Sequence, residues 1–295
     1  MNWIPLDSNS EVLIQGMTGK EGSRMANWMI QSGTRVVAGV SPGSGGKEVE
    51  GCPIFNSVAE AKARFPGITA TCIVVPAPFA LSAVTEALEA GIPCVYVITE
   101  RVPIRDVMEM RRMASEKNAV IFGPSSVGYL QFPQFRLGYL GGQKPFEHLT
   151  EGGIALLSSS GGITNETLMA FARRGIGVRL ALSVGGDVLN GCNLIEALES
   201  VQTRPDVTAL AVFLEPGNPL ISALIRGRVR PVKPLRLCLP GDALESLPRG
   251  LPYGHAGTVL GDDEGSLRDI REKLTAQGIP CTALHDEFID WCAAL

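Results

Sequence analysis

Four short segments carry residue types and spacings suited to chemistry, and three of them suit the handling of phosphate. His255 stands in Tyr253-Gly254-His255-Ala256-Gly257. An imidazole titrates near about 6.5, so at neutral pH it offers an uncharged nucleophilic nitrogen. The small flanking residues let such a loop approach a bound group closely. A lone loop histidine is more often a surface or hydrogen-bonding residue than a nucleophile. Glu215, in Leu214-Glu215-Pro216-Gly217, sits where a strand should end. On its residues alone it reads as a solvated strand-end carboxylate. Ser158-Ser159-Ser160-Gly161-Gly162 joins an apolar run to a helical pattern. Its N–H groups and the helix dipole suit an anion, and its serines suit an N-cap just as well.

The fourth segment is Gln15-Gly16-Met17-Thr18-Gly19-Lys20-Glu21-Gly22, spaced G-x-x-G-x-x-G between a strand and a helix. Glycines there permit a tight turn and expose N–H groups to a pyrophosphate, although a ligand-free turn has the same spacing. A nicotinamide dinucleotide would also want an acid at the end of the second strand. That strand ends in Gly39-Val40-Ser41-Pro42, which disfavours a dehydrogenase but leaves other phosphate-bearing ligands open.

The elements that must position these residues alternate. Apolar runs at 12–14, 35–40, 71–75, 94–98 and 120–122 predict strands. Helical patterns at 25–30, 58–64, 80–90 and 104–117 separate them. Short loops between the two imply right-handed crossovers and a parallel, doubly wound sheet. A polar, turn-rich stretch between Gly138 and Gly153 reads as a linker. The alternation then restarts, with strands at 153–157, 179–184, 208–214 and 235–239, and helices at 164–174, 193–202, 266–277 and 287–294.

A chain of 295 residues with 45% hydrophobic content fits two α/β domains. A net charge of −4 gives no electrostatic case for nucleic acid or a membrane surface. Seven cysteines without a CxxC pair read as reduced, buried thiols, and no metal site is expected. The opening residues lack the apolar stretch of a secretory signal, and no apolar run reaches membrane-spanning length. A cytoplasmic protein is expected.

The motifs QGMTGKEG, GVSPGSGGKEVEGCPIFNSV, VVPAPF, VITERVP, FGPSSVG, GIALLSSSGGITNE, SVGGDVLNGCNLIEAL, FLEPG and GHAG together cover nearly the whole chain. In this combination the chain resembles the succinyl-CoA synthetase α-subunits, NDP-forming acyl-CoA ligases. The resemblance implies a Rossmann-like CoA-binding domain over 1–140, a linker over 141–150 and a flavodoxin-like ligase domain over 151–295, both domains with parallel sheets. It implies coenzyme A contacts from Gly16, Thr18, Gly19, Lys20, Glu21, Ser44, Pro76, Ile98, Thr99 and Glu100. It implies substrate or phosphate contacts from Ser125, Ser126, Ser160, Gly161, Gly162 and Asn165, a phosphohistidine at His255, and Glu215 as its carboxylate partner. Nucleotide and magnesium would be bound mainly by a partner β-subunit of ATP-grasp type, in a heterodimer or heterotetramer, because the chain has no G-x-x-x-x-G-K-[ST] loop.

The chain departs from the family pattern at a few places. Ser44 stands where the family has a lysine, with Lys20 or Lys47 to compensate. Ser159 and Asn165 stand where it has an arginine and a tyrosine. Ser125-Ser126 falls where it has N-C-P-G. Losing an arginine weakens recognition of a second carboxylate, so a small carboxylic acid other than succinate is expected. Two alternatives stay open: a non-catalytic CoA-binding regulatory subunit, and a relative of the citrate-type lyases or acyltransferases.

Overall fold

The computed structural model describes residues 6–248, 250–251 and 265–295. The first unit runs β1 (Glu11–Gln15), α1 (Lys20–Gln31), β2 (Arg35–Val40), β3 (Glu48–Val49), β4 (Cys52–Phe55), α2 (Val58–Arg64) and β5 (Ile68–Ile73). It continues through α3 (Ala80–Glu89), β6 (Cys94–Val97), α4 (Ile104–Glu116) and β7 (Val120–Phe122). The second has β8 (Gly128–Gln131), β9 (Phe135–Gly138), β10 (Thr150–Ser158), α5 (Gly161–Arg174), β11 (Gly177–Ser183) and α6 (Leu194–Val201). It ends with β12 (Ala209–Phe213), α7 (Pro219–Ile225), β13 (Leu235–Cys238), α8 (Leu267–Ala276), β14 (Cys281–Thr282) and α9 (His285–Ala293).

Among the described residues the strands form two seven-stranded sheets, ordered β3-β4-β2-β1-β5-β6-β7 and β14-β13-β12-β10-β11-β8-β9. Leaving the antiparallel β3 aside, the first has the doubly wound order 3-2-1-4-5-6. The parallel strands of the second have the order 2-1-3-4-5. Each order reverses at one place: between β1 and β5 in the first sheet, and between β10 and β12 in the second. Strand interiors such as Val12, Leu13 and Ile14 are wholly buried, as expected where helices cover both faces.

The sheets are mostly parallel, with antiparallel edges that the sequence pattern does not suggest. β3 pairs antiparallel with β4 through a two-residue turn at Glu50 and Gly51, both at positive φ, a geometry that matches strand twist. The Glu50 carboxylate also accepts from Ser23 Oγ and Asn27 Nδ2 at 2.9 and 2.8 Å, which fastens the turn to α1. The β8–β9 hairpin pairs antiparallel with β11, so the chain enters the second sheet at Gly128, ahead of the 141–150 stretch.

That hairpin ties the two units together. Thr34 Oγ1 donates to Arg136 O at 2.8 Å and accepts from Arg136 N at 2.9 Å, and Tyr96 OH donates to Gly128 O at 3.0 Å. A single apolar cluster includes Met25 and Tyr96 of the first unit and Leu182 and Val212 of the second. Arg136 is fully buried. Its guanidinium donates to the carbonyls of Trp28, Leu140, Gly142 and Gln143 and lies 5.8 Å from the Trp28 ring centre. Burial pulls its pKa down to about 10, which leaves it charged at neutral pH. Replacing it by leucine strips four carbonyls of their donor. Arg136→Leu should lower the unfolding free energy by about 3 kcal/mol, read from urea midpoints at constant m-value.

Candidate functional site: two crevices at the strand-order reversals

Ligands of open α/β sheets bind beyond the carboxyl ends of the strands, where the order reverses. The first such crevice lies between β1 and β5. Gly16 turns at φ +88°, and a Cβ there would stand 2.9 Å from Val74 O. Gly22 lets α1 press onto the turn, since a Cβ would fall 2.2 Å from Gly16 O. Gly19 occupies the N-cap and no side chain caps the helix, so its first-turn N–H groups are left to a ligand or water. Thr18 Oγ1 donates to Ser41 Oγ at 2.9 Å. Asn56 Oδ1 accepts from Gly43 N and Gly45 N at 2.9 and 3.0 Å, which orders the loop around half-buried Ser44.

The remaining first-unit candidates converge on the same edge because they follow β5 and β6. Pro76 opens a single 3-10 turn over Ala77–Phe79. Thr99 Oγ1 donates to Val75 O at 2.7 Å, and Ile98 N to Ile73 O at 3.0 Å. Glu100 and Lys20 are exposed. Glu21 turns toward the hairpin end, where it pairs with Arg24 and its backbone O accepts from Tyr139 OH at 2.7 Å.

The second crevice lies between β10 and β12. A cavity of about 200 Å³ there is lined by Ser159, Asp187, Asn190, Glu215, Asn218 and Arg111, among others. Glu215 follows β12 and is half-buried. Ser159 follows β10 and is buried, and its Oγ has no hydrogen-bond partner among the described residues. The serines on either side of it are committed to backbone. Ser158 Oγ accepts from Ser160 N at 3.0 Å, and Ser160 caps α5 by accepting from Ile163 N.

The other substrate or phosphate candidates do not line this cavity. Gly161 packs against Val127, which a Cβ would meet at 2.3 Å, while Gly162 faces open space. Ser125, at φ +56°, donates to Asp187 Oδ2 at 2.8 Å. Ser126 is buried and donates to Ser183 O at 2.6 Å. Asn165 Oδ1 accepts from Gly141 N at 2.8 Å, so it holds the 141–150 stretch against α5. His255 lies outside the described residues. Asp187, Asn190, Asn218 and Arg111 are absent from the candidates that the motifs supply. The polar run Gly185-Gly186-Asp187-Val188-Leu189-Asn190 directly after a strand is the signal that points to the first two.

His285 has a packing role. Thr167 donates its hydroxyl proton to Ile163 O at 2.7 Å, so the 2.9 Å contact of Thr167 Oγ1 with His285 Nε2 has the ring nitrogen donating. Burial lowers the His285 pKa, against the opposing pull of Asp286 and Glu166. The fold therefore favours the neutral ring. That stability is fully present above the ordinary imidazole value of 6.5 and is lost as pH falls through it toward the lower folded value. His285→Gln should flatten the loss of melting temperature seen between neutral and mildly acid pH, and an unchanged pH slope would contradict this. In the first crevice, Gly22→Ala must push α1 off the Gly16 turn. It should cost about 1–3 kcal/mol by thermal unfolding.

Among known proteins, the CoA binding domain family matches residues 7–101. Over 283 residues the chain is 31% identical to the ADP-forming succinate–CoA ligase subunit alpha of Staphylococcus aureus, covering 96% of this chain and 91% of that one. It is 34% identical over 284 residues to the ADP-forming sulfoacetate-CoA ligase subunit SqwL of Acholeplasma sp, covering 93% and 92%. The ATP citrate lyase of Methanothrix soehngenii, in complex with citrate and coenzyme A, superposes on 99% of the chain with a TM-score of 0.86 at 22% identity. The chain spans about half of that polypeptide, 50%, and the likeness establishes the shared fold. With this extent of identity over nearly its whole length, the chain belongs to the family of succinate–CoA ligase α-subunits.

Proposed function

We propose that this chain is the α-subunit of an NDP-forming carboxylate–CoA ligase that works in the cytoplasm with an ATP-grasp β-subunit. Coenzyme A would lie along the first crevice. The observation that carries the reading is the pairing of two strand-order reversals in one molecule, an uncapped glycine turn at one and Glu215 with Ser159 at the other. Seven buried free thiols fit a reducing compartment. We assign the coenzyme A unit to the chain up to β7, with β8 onward in the ligase unit.

The chemistry balances in three displacements. A nitrogen of His255 attacks the terminal phosphorus of the nucleoside triphosphate, and the diphosphate leaves with the bridging oxygen. A carboxylate oxygen of the acid then takes the phosphoryl group, giving an acyl phosphate and restoring the imidazole. The coenzyme A thiolate attacks the acyl carbon and expels inorganic phosphate. Glu215 holds one ring nitrogen so that the other keeps its lone pair. The N-terminus of α5, capped by Ser160, supplies fixed dipoles for phosphoryl oxygens at no reorganisation cost. The nucleotide and its magnesium belong to the partner, where the metal would screen the phosphate charge.

Ser159 in place of an arginine removes a cation that would meet a second carboxylate, so the acid is one other than succinate. The sulfoacetate ligase subunit among the relatives fits a family in which the acid varies between members.

The complex with labelled triphosphate should acquire acid-labile, base-stable phosphate on histidine. His255→Ala should abolish labelling and turnover and leave coenzyme A binding intact. Glu215→Gln should slow labelling by about tenfold to a hundredfold without erasing it. Thioester formation would be followed with succinate, malate, lactate and sulfoacetate. Undiminished turnover by His255→Ala would end the mechanism, and the highest kcat/KM for succinate would refute the inference from Ser159.

A further inference from the structure

The loop between β11 and α6 lines the second crevice as a strap, and the first unit holds it. At its start Gly123 N donates to Val184 O at 3.2 Å, and at its end Gly191 N donates to Gly123 O at 2.7 Å. The approach is close enough to require glycine at both ends. A Cβ on Gly185 would stand 2.1 Å from Pro124 O, and one on Gly191 2.3 Å from Ile121 O. Leu189 packs into the first unit's apolar cluster. Inside the strap, Asn190 Nδ2 donates to Gly185 O at 2.7 Å, drawing the two ends together.

One side chain of the first unit closes the arrangement. Arg111, in the C-terminal half of α4, donates from Nη1 to Asn190 O at 2.7 Å and to Gly191 O at 2.8 Å. Its Nη2 lies 3.3 Å from Glu196 Oε1 on α6. A planar guanidinium can span two successive carbonyls and a carboxylate at once, which an ammonium cannot do in that geometry. Arg111 also lines the cavity that Ser159 and Glu215 share. Its charge is therefore spent on the strap, and what the cavity receives from it is a fixed wall.

We propose that Arg111 is a positioning residue for the acid-binding step: by clamping the Val184–Gly191 strap, it sets the cavity wall opposite Glu215 and Ser159. The proposal rests on the function proposed above in taking that cavity as the acid's site. It adds that the site is shaped by a side chain of the coenzyme A unit. Misplacing a cavity wall by about 1 Å is enough to cost up to about a hundredfold in productive binding. The effect therefore falls on the acid, while coenzyme A and phosphohistidine formation keep their parental values.

Two measurements on intact protein test this. In the assembled complex, using whichever of succinate, malate, lactate or sulfoacetate gives most thioester, Arg111→Ala should raise the KM for the acid by at least about tenfold. Its coenzyme A Kd and histidine labelling should stay within about twofold of parental. Arg111→Lys should recover part of the loss, and Glu196→Gln, which leaves both carbonyl bonds in place, should have little effect. The second measurement uses the isolated full chain. All seven native thiols are buried, so Ser159→Cys adds one reporter facing the cavity. Its alkylation by iodoacetamide should be slow, and at least about tenfold faster when Arg111→Ala is added. Parental acid KM in Arg111→Ala, or alkylation no faster than in Ser159→Cys alone, would overturn the proposal. If no acid of the four gives thioester and the parental complex takes no label on histidine, the proposed function fails, and the alkylation rates still decide whether Arg111 holds the strap.

Discussion

The geometry of both crevices depends on a buried guanidinium that has no carboxylate partner among the described residues. Arg136 gives its Nη1 and Nη2 protons to four backbone carbonyls, one at the end of α1 and three in the stretch that leads to β10. Desolvating a cation costs several kcal/mol, and hydrogen bonds from a charged donor return about 1.5–3 kcal/mol each. The balance holds only with all four acceptors in place. That condition fixes where α1 ends, where β9 lies and how the 141–150 stretch sets out, so it ties the helix of the first crevice to the entry of the second sheet. Thr34, bonded both ways to the Arg136 backbone, closes the joint from the first unit's side.

Around that joint, glycines set distances that larger residues would forbid. Gly22 brings α1 onto the Gly16 turn, and Gly185 and Gly191 bring the strap onto Pro124 and Ile121. In each case backbone meets backbone, and no rotamer change could relieve an added methyl. The glycine spacing 16-19-22 stands out as a pattern in the sequence alone. Its cause lies in the contacts, since Gly22 makes room for the Gly16 carbonyl, Gly16 makes room for that of Val74, and Gly19 leaves the helix end uncapped.

Much of the fold is legible because buried strands and amphipathic helices write different periods into the chain. The run Val12–Ile14 and the helical spacing of Met25, Ala26 and Met29 require no neighbour to be read. The β8–β9 hairpin is not legible. Each of its strands is four residues long and buried throughout, so it lacks alternation, and its turn carries Pro133 and a Gln134 at positive φ. It is made a strand pair by Thr34, Tyr96 and β11, all distant in sequence. α7 is too short for its apolar period to stand out, and only Asn218 and Pro219 mark its start, as cap and first residue. The site divides in the same way. Glu215 and Thr99 follow the ends of β12 and β6, positions that the strand pattern alone supplies. Asn165, on a helix face, holds Gly141 instead of lining the cavity, because which way a helical side chain points depends on what packs beside it.

The three serines after β10 show how a pocket can change while its scaffold stays. Ser158 and Ser160 spend their hydroxyls on the local backbone, one bonding Ser160 N and the other capping α5. Either substitution would disturb the turn or the helix start, by about 1 kcal/mol for a lost cap. Ser159 stands between them and serves neither. Its side chain lines the cavity, and its hydroxyl has no partner among the described residues. A change at 159 therefore alters the size, charge and hydrogen bonding of the crevice with no loss of a capping or turn interaction. Because the flanking hydroxyls already secure the turn and the helix start, position 159 is where the chemistry of this cavity can diverge at least cost to stability.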